Sequence, residues 1–391
     1  MRRGALILLA ALAWPAHAAW QWDVPLEVNT ARSTVIFPHL ESANRQGIAA
    51  SGGAVAVAWE DNRSGAPRCY VAIKPAMAAA FQPEFAISDT ECYEPVVAPL
   101  GQGRFLAAWE EAGKVHVRVL PDGQAVRLSE AEAAQVTLAS GNGACFAAWA
   151  EQAGRYKRIV VASLAVEGNR VTMTRVQPVE AAMPADEQAW PALALTDMGG
   201  VAVAWEDRRD KHTVPMASRG DSRLKFVAPT RITDQESGST DGLGAGLGAM
   251  RPTLAPWGGN GTVAVWLDKR DFLSGYDVYA AFDSGSDGFG TNQRVQDSFG
   301  DTLAQWHARV VAHQDRFTVV WDDARDGTPD VWLANWEDAA FGDNVAVPAA
   351  SGPGEQSDPV ATLDEAGVLH LAWLDRHADG TRVRYARAVW K

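Results

Sequence analysis

Seven positions along the chain each precede a recurring short segment that often reads Pro-x-Leu or Pro-x-Val. They hold Phe37, Glu94, Gln135, Trp190, Arg251, His307 and Asp358. Four of these are ionisable, with both signs present, and Tyr93, Gln305 and Trp306 flank them. Mixed charge beside aromatic rings is what a small polar ligand such as a sugar needs. Tyr93, Glu94, Trp190, Arg251, Trp306, His307 and Asp358 are therefore the candidate ligand-binding set. Glu94 and Asp358 are also the acid/base candidates, because glycoside hydrolysis places two carboxyl groups about the scissile bond. Arg251 could hold a substrate carboxylate. The same charges could instead pair with one another around a water-filled channel.

Other chemistry is sparse. The pairs Asp61/Arg63, Asp207/Arg209, Asp268/Arg270 and Asp323/Arg325 recur at one place in a repeat. Recurrence argues for structure, since a catalytic constellation is asymmetric; the Asp can bind turn amides and the Arg can clamp a neighbouring turn. The eight histidines show no metal spacing, and G-x-S-x-G, C-x-x-C and H-E-x-x-H are absent. The acidic turn at 283–290 could hold a structural Ca²⁺ through Asp283 and Asp287, although its spacing is not that of an EF-hand. No other cofactor is expected. The Gly-rich stretch 237–248 lacks the Lys of a phosphate loop and reads as a loop over the channel or a linker. Cys145 lies in the apolar run 144–149 and reads as a buried thiol. That leaves Cys69 and Cys92 as the disulfide candidate, open until the Cα separation is known.

The elements that must position these residues come from a repeat. An apolar run, a Trp and an acidic residue recur seven times, at Trp59, Trp109, Trp149, Trp205, Trp266, Trp321 and Trp373. The runs are apolar at successive positions, as in strands buried on both faces. A short segment precedes each run and further short runs mostly follow it, which makes four strands per repeat between Gly, Asp and Pro turns. Seven four-stranded units of 40–60 residues predict an all-β, seven-bladed β-propeller. The last repeat stops after its third strand, near 382–389. An orphan strand at 25–29 is the expected fourth, so the N-terminal strand should close the ring.

The chain has 391 residues, of which 47% are hydrophobic and 21% charged, with a net charge of −13. An acidic balance excludes the basic face that nucleic acid needs. Arg2 and Arg3, the apolar stretch 4–14 and Ala16-His17-Ala18 read as a signal peptide over 1–18, leaving one propeller domain over 19–391. No later run approaches the ~18 apolar residues of a membrane span. The expected location is the periplasm or the medium, and the expected partner a glycan or an extracytoplasmic protein.

Residues 321–332, Trp-Asp-Asp-Ala-Arg-Asp-Gly-Thr-Pro-Asp-Val-Trp, resemble the W-x-D-x-R-x-G-x-x-D-I-Y strand pair of sialidase-like (BNR, Asp-box repeat) propellers. Residues 277–295 resemble that family's Asp-box turn and the strand after it, with a degraded box at Ser286-Asp287-Gly288-Phe289. The resemblance spans essentially the whole of 19–391. For sialidases it implies three arginines on a substrate carboxylate, a Tyr nucleophile paired with Glu, an Asp acid/base and usually six blades. This chain departs from that pattern. Its repeat count is seven, and blade one opens Val35-Ile36-Phe37-Pro38 in place of Arg-Ile-Pro. Tyr70, Tyr279 and Tyr385 sit at third-strand positions that the repeat already explains. No catalytic residue carries over. The first expectation is a carbohydrate- or protein-binding module acting at the channel mouth. The second is an exo-sialidase-like glycoside hydrolase with a displaced acidic site, and the third a structural subunit of an envelope complex.

Overall fold

The computed structural model describes residues 19–196, 199–234, 248–270, 275–285, 288–297, 303–314 and 316–391. Residues 1–18, expected to be a signal peptide, most of the Gly-rich stretch, and Ser286 and Asp287 lie outside the described residues. Seven antiparallel sheets form a ring. Blade 2 is typical: Cys92–Gly101, Arg104–Glu111, Lys114–Leu120 and Val126–Arg127 pair in sequence from the axis outward. The predicted fold is observed.

The repeat motif is a packing device. All seven marker tryptophans are fully buried between blades. In six of them the indole N–H donates to the carboxylate two residues on, at 2.8–3.1 Å. A buried indole N–H left unpaired would cost about 1–3 kcal/mol, which accounts for the acidic residue at that spacing. The motif arginine closes on the same carboxylate and lies over a third-strand ring. Arg63 sits 4.1 Å from the Tyr70 centroid, Arg270 4.0 Å from Tyr279 and Arg325 4.1 Å from Trp332.

Closure occurs in blade 7. Trp20–Trp22 and Leu26–Glu27 both pair with Gly380–Trp390, in the registers Trp20↔Trp390 and Leu26↔Tyr385. The orphan strand is thus two short pieces. The Trp20 indole donates to Asn335 Oδ1 at 2.9 Å and tethers this fourth strand to blade 6.

Blade 1 departs from expectation. The segment 38–40 is not its innermost strand and contributes one bridge, His39 to Glu60. The innermost strand is Ile48–Ser51. Before it, the chain makes a 3₁₀ turn, Ala43–Arg45, inside the central channel. Asn44 Nδ2 donates to Leu193 O of blade 4 at 3.1 Å, and Asn44 Oδ1 accepts the Leu254 N–H of blade 5 at 3.1 Å. Gln46 Nε2 reaches Leu138 O of blade 3 at 2.6 Å, while Gln46 O accepts the Val97 N–H of blade 2 at 3.0 Å. Arg309 of blade 6 donates to Asn44 O at 2.7 Å, and Arg45 Nε donates to Pro359 O of blade 7 at 3.1 Å. The channel is filled by a hub of the chain itself.

Candidate functional site

One backbone irregularity builds the mouth. In blades 2 to 7 the first strand slips against the second at Tyr93/Val96, Ala134/Thr137, Ala189/Ala192, Met250/Thr253, Trp306/Arg309 and Ser357/Val360. Each slip is a β-bulge whose extra residue has left-handed φ: Glu94 47°, Gln135 60°, Trp190 51°, Arg251 56°, His307 54° and Asp358 59°. Bulges re-aim side chains, and non-Gly residues in this region persist only where the surroundings hold them. Six of the seven predicted ring positions are therefore equivalent. The seventh is Arg45, with φ 48°, and not Phe37. Phe37 stands outside the ring and is 52% exposed.

The neighbouring blade holds several of these bulges through the residue that follows its marker Trp. Glu60 accepts the Glu94 N–H at 3.0 Å, Glu110 accepts from Gln135, Glu206 accepts the Arg251 N–H at 2.8 Å and Asp322 accepts the Asp358 N–H at 3.3 Å. Blade 3 has Ala150 at that place, and Gln135 Oε1 substitutes by accepting the Trp190 N–H at 2.9 Å. These acids were visible after four of the seven marker tryptophans, but nothing local distinguished a bulge-capping acid from an exposed one.

Charge divides across the mouth. On one side Arg45 pairs with Asp358 and, at 3.3 Å, with Glu41. Arg251 pairs with Glu41 at 3.1 Å, and its guanidinium lies 3.2 Å from the Trp190 centroid. His307 Nδ1 is 2.8 Å from Asp322, and Nε2 is 3.8 Å from Glu41. Burial alone would raise Asp358, yet Arg45 and His307 hold its pKa at about 2. Burial works against charge on His307, and Asp322 and Asp358 outweigh it, so its pKa is raised. Arg309 is lowered to about 9 by burial and by Arg45.

The other side is acidic. Glu94 is pushed well above the carboxylate range by burial, then by Glu110 and Glu41. Glu110 rises to about 7, mainly through burial. Burial also raises Glu60 on this side and, beside Arg251, Glu206.

Trp190, Arg251, Trp306 and His307 line one cavity of about 150 Å³, with Glu41 and Leu267. Asp358 lies in the adjoining recess. Both of its oxygens are engaged, one by Arg45 and the other by the Leu40 N–H at 3.0 Å. Glu94 stands with Glu60 and Glu110, and Tyr93 is an exposed ring beside them whose hydroxyl reaches Glu91 at 3.2 Å. Glu41, the carboxylate on which Arg45, Arg251 and His307 converge, was not foreseen. Its position depends on the hub turn.

Glu41, His307 and Asp358 bring potential ligand atoms within 4.8 Å of one another. Arg45 and Arg251 already neutralise both carboxylates, so this donor set does not suit a cation. The Asp283 carboxylate takes Arg219 Nε at 2.6 Å and the Gly285 N–H at 2.7 Å. Cys69 and Cys92 are bonded, with Cα atoms 5.6 Å apart, and tie blade 1 to blade 2. Cys145 is buried and free, and burial pushes its thiol up to about 12.

No protein-family model matches the chain, and no curated protein matches it in sequence. Solved structures do match in shape. A protein of unknown function from Dyadobacter fermentans aligns with TM-score 0.57 and 10% identity over 95% of this chain and 99% of its own. The polysaccharide lyase Uly1 aligns with TM-score 0.60 and 8% identity over 93% and 98%. The Trypanosoma rangeli sialidase, in complex with the inhibitor DANA, aligns with TM-score 0.51 and 8% identity over 95% of this chain. The chain spans 59% of that sialidase's length. At such identities the likeness is one of fold, and in fold this chain is similar to propellers that include a sialidase and a polysaccharide lyase.

Proposed function

We propose that this is an exported propeller that binds carbohydrate in the cleft between Trp190 and Trp306. The observation that carries this reading is the cleft's composition. Two aromatic rings flank a bidentate cation, a histidine and a carboxylate, Arg251, His307 and Glu41. Rings stack on the apolar faces of sugars, and charged forks bind their hydroxyls or carboxylates. Neighbours in fold named for sialidase and polysaccharide lyase activity support the ligand class. The Cys69–Cys92 bond supports an oxidising, extracytoplasmic location. Among the described residues no helix is long and apolar enough to cross a membrane. A glycan array with the folded chain tests the proposal. Binding to defined glycans that falls at least about tenfold in Trp306→Ala supports it; binding unchanged by Trp306→Ala and Arg251→Ala overturns it.

A second reading, glycoside hydrolysis, draws on the split in carboxyl ionisation. Burial and its acidic neighbours push Glu94 well above the ordinary carboxyl value, while Arg45 and His307 hold Asp358 at about 2. Carboxyls driven apart in this way suit acid and base roles. Glu94 would act as the acid, whereas Asp358 would have to release Arg45 or Leu40 to act as base. Turnover of fluorogenic glycosides that disappears in Glu94→Gln supports this reading; no turnover over the panel rejects it.

A further inference from the structure

The cleft does not end at the Trp190–Trp306 cavity. A second recess of about 630 Å³ adjoins it, and Glu41, Arg251 and His307 line both. The first cavity draws its walls from blades 4, 5 and 6, through Trp190, Met250 and Trp306. The second draws its far wall from blades 7 and 1 and the segment before blade 1, through Arg376, Asn62 and Phe37. The two together cross the mouth. Each cavity has its own exposed ring: Trp306, 39% exposed, lines only the first, and Phe37, 52% exposed, lines only the second. The Phe37 N–H is held by Asn62 Oδ1 at 2.8 Å and Asn62 Nδ2 donates to Val35 O at 3.0 Å, so the backbone carrying that outlying ring is fixed.

A site for a single terminal sugar needs one closed pocket. This geometry has two aromatic platforms with the charged triad Glu41, Arg251 and His307 between them. We infer that the cleft takes an extended, linear oligosaccharide running through both cavities, with Phe37 as a second platform in the cavity that Trp306 does not line. The inference rests on the carbohydrate reading above and names the form of its ligand: internal chain segments of a polysaccharide, not isolated terminal residues.

The test uses the folded chain and ladders of one to six residues of cello-oligosaccharides, chito-oligosaccharides and oligogalacturonates, titrated calorimetrically. On a ladder that binds, affinity should climb with length and then plateau, by about tenfold or more from the disaccharide to the hexasaccharide. Phe37→Ala should collapse that length ratio toward one, while Trp306→Ala should weaken every member. An unchanged melting temperature for Phe37→Ala shows that the exposed ring has no folding role. A ladder that binds with no dependence on length, or a length ratio that survives Phe37→Ala, overturns the inference and leaves the carbohydrate reading standing. No binding to any ladder by a folded chain that does bind glycans on the array overturns the inference alone; no binding to any ladder or to the array rejects both.

Discussion

The Arg251 guanidinium lies against the Trp190 ring, 3.2 Å from its centroid, and so joins the bulges of adjacent blades 4 and 5. Each residue fixes the other at the mouth. Cation–π contacts are worth about 0.5–2 kcal/mol from exposed to desolvated sites, and a planar guanidinium stacks where an ammonium does not. Arg251→Lys keeps the charge and loses the stack. It should therefore weaken glycan binding nearly as much as Arg251→Ala, by about tenfold or more. Calorimetry that finds Lys equal to Arg would remove the stack from the binding account.

Stability should respond to pH in two opposite windows. Asp358 has a folded pKa near 2, below its ordinary 3.8. Its contribution is complete above about pH 4 and is lost as pH falls toward 2. Glu110 has a folded pKa near 7, above its ordinary 4.5. Its contribution is complete below 4.5 and is lost as pH rises through 7. Melting curves should show Glu110→Gln flattening the upper window and Asp358→Asn flattening the lower. Asp358→Asn also leaves the buried Arg45 with Glu41 as its remaining carboxylate partner among the described residues, and should lower stability further. Unaltered slopes in both variants would refute these assignments.

Thiol counting separates the three cysteines. Native protein should show no fast-reacting thiol, because Cys145 is buried and two are bonded. Denatured protein should show one, and denatured, reduced protein three. Replacing Cys69 and Cys92 by Ala releases a loop with a sequence separation of 23. By loop entropy that costs about 3 kcal/mol. A melting temperature equal to the parent's would place the bond's role outside stability.

Ring closure concentrates on Trp20. It is buried, bonded to Asn335 and packed 5.1 Å from Trp390. Trp20→Ala should cost about 3–5 kcal/mol, and deletion of 19–29 more. If the deletion melts with the parent, closure contributes nothing to stability.

Much of the ring was legible because one buried indole marks each blade, and six of the seven take a carboxylate two residues on. Six of the seven bulge residues followed from their place before the Pro segment. Blade 1 failed for a visible reason. Glu94, Trp190, Arg251 and Asp358 lie 15 residues before their marker Trp, and Gln135 and His307 lie 14 before theirs. Arg45 also lies 14 before Trp59, whereas Phe37 lies 22 before it. Spacing would have found Arg45; the Pro at 38 was a decoy. The hub itself had no local signal. Asn44 and Gln46 bind mainly backbone groups of blades far away in sequence, and backbone groups leave no trace in residue type.

The hub and the closing strand belong to one short stretch near the start of the propeller, and their partners are scattered over the rest. The Asn29 side chain accepts from Val383, and Asp23 meets Arg387, 364 residues later. Asn44 needs blades 4, 5 and 6 before it has anything to bind. Contacts of such separation form slowly, because large loops must close first. Along a growing chain, this stretch is made before any blade and can be seated only after the seventh exists. The stretch that holds the ring together is synthesised before the blades it joins and should be seated after them.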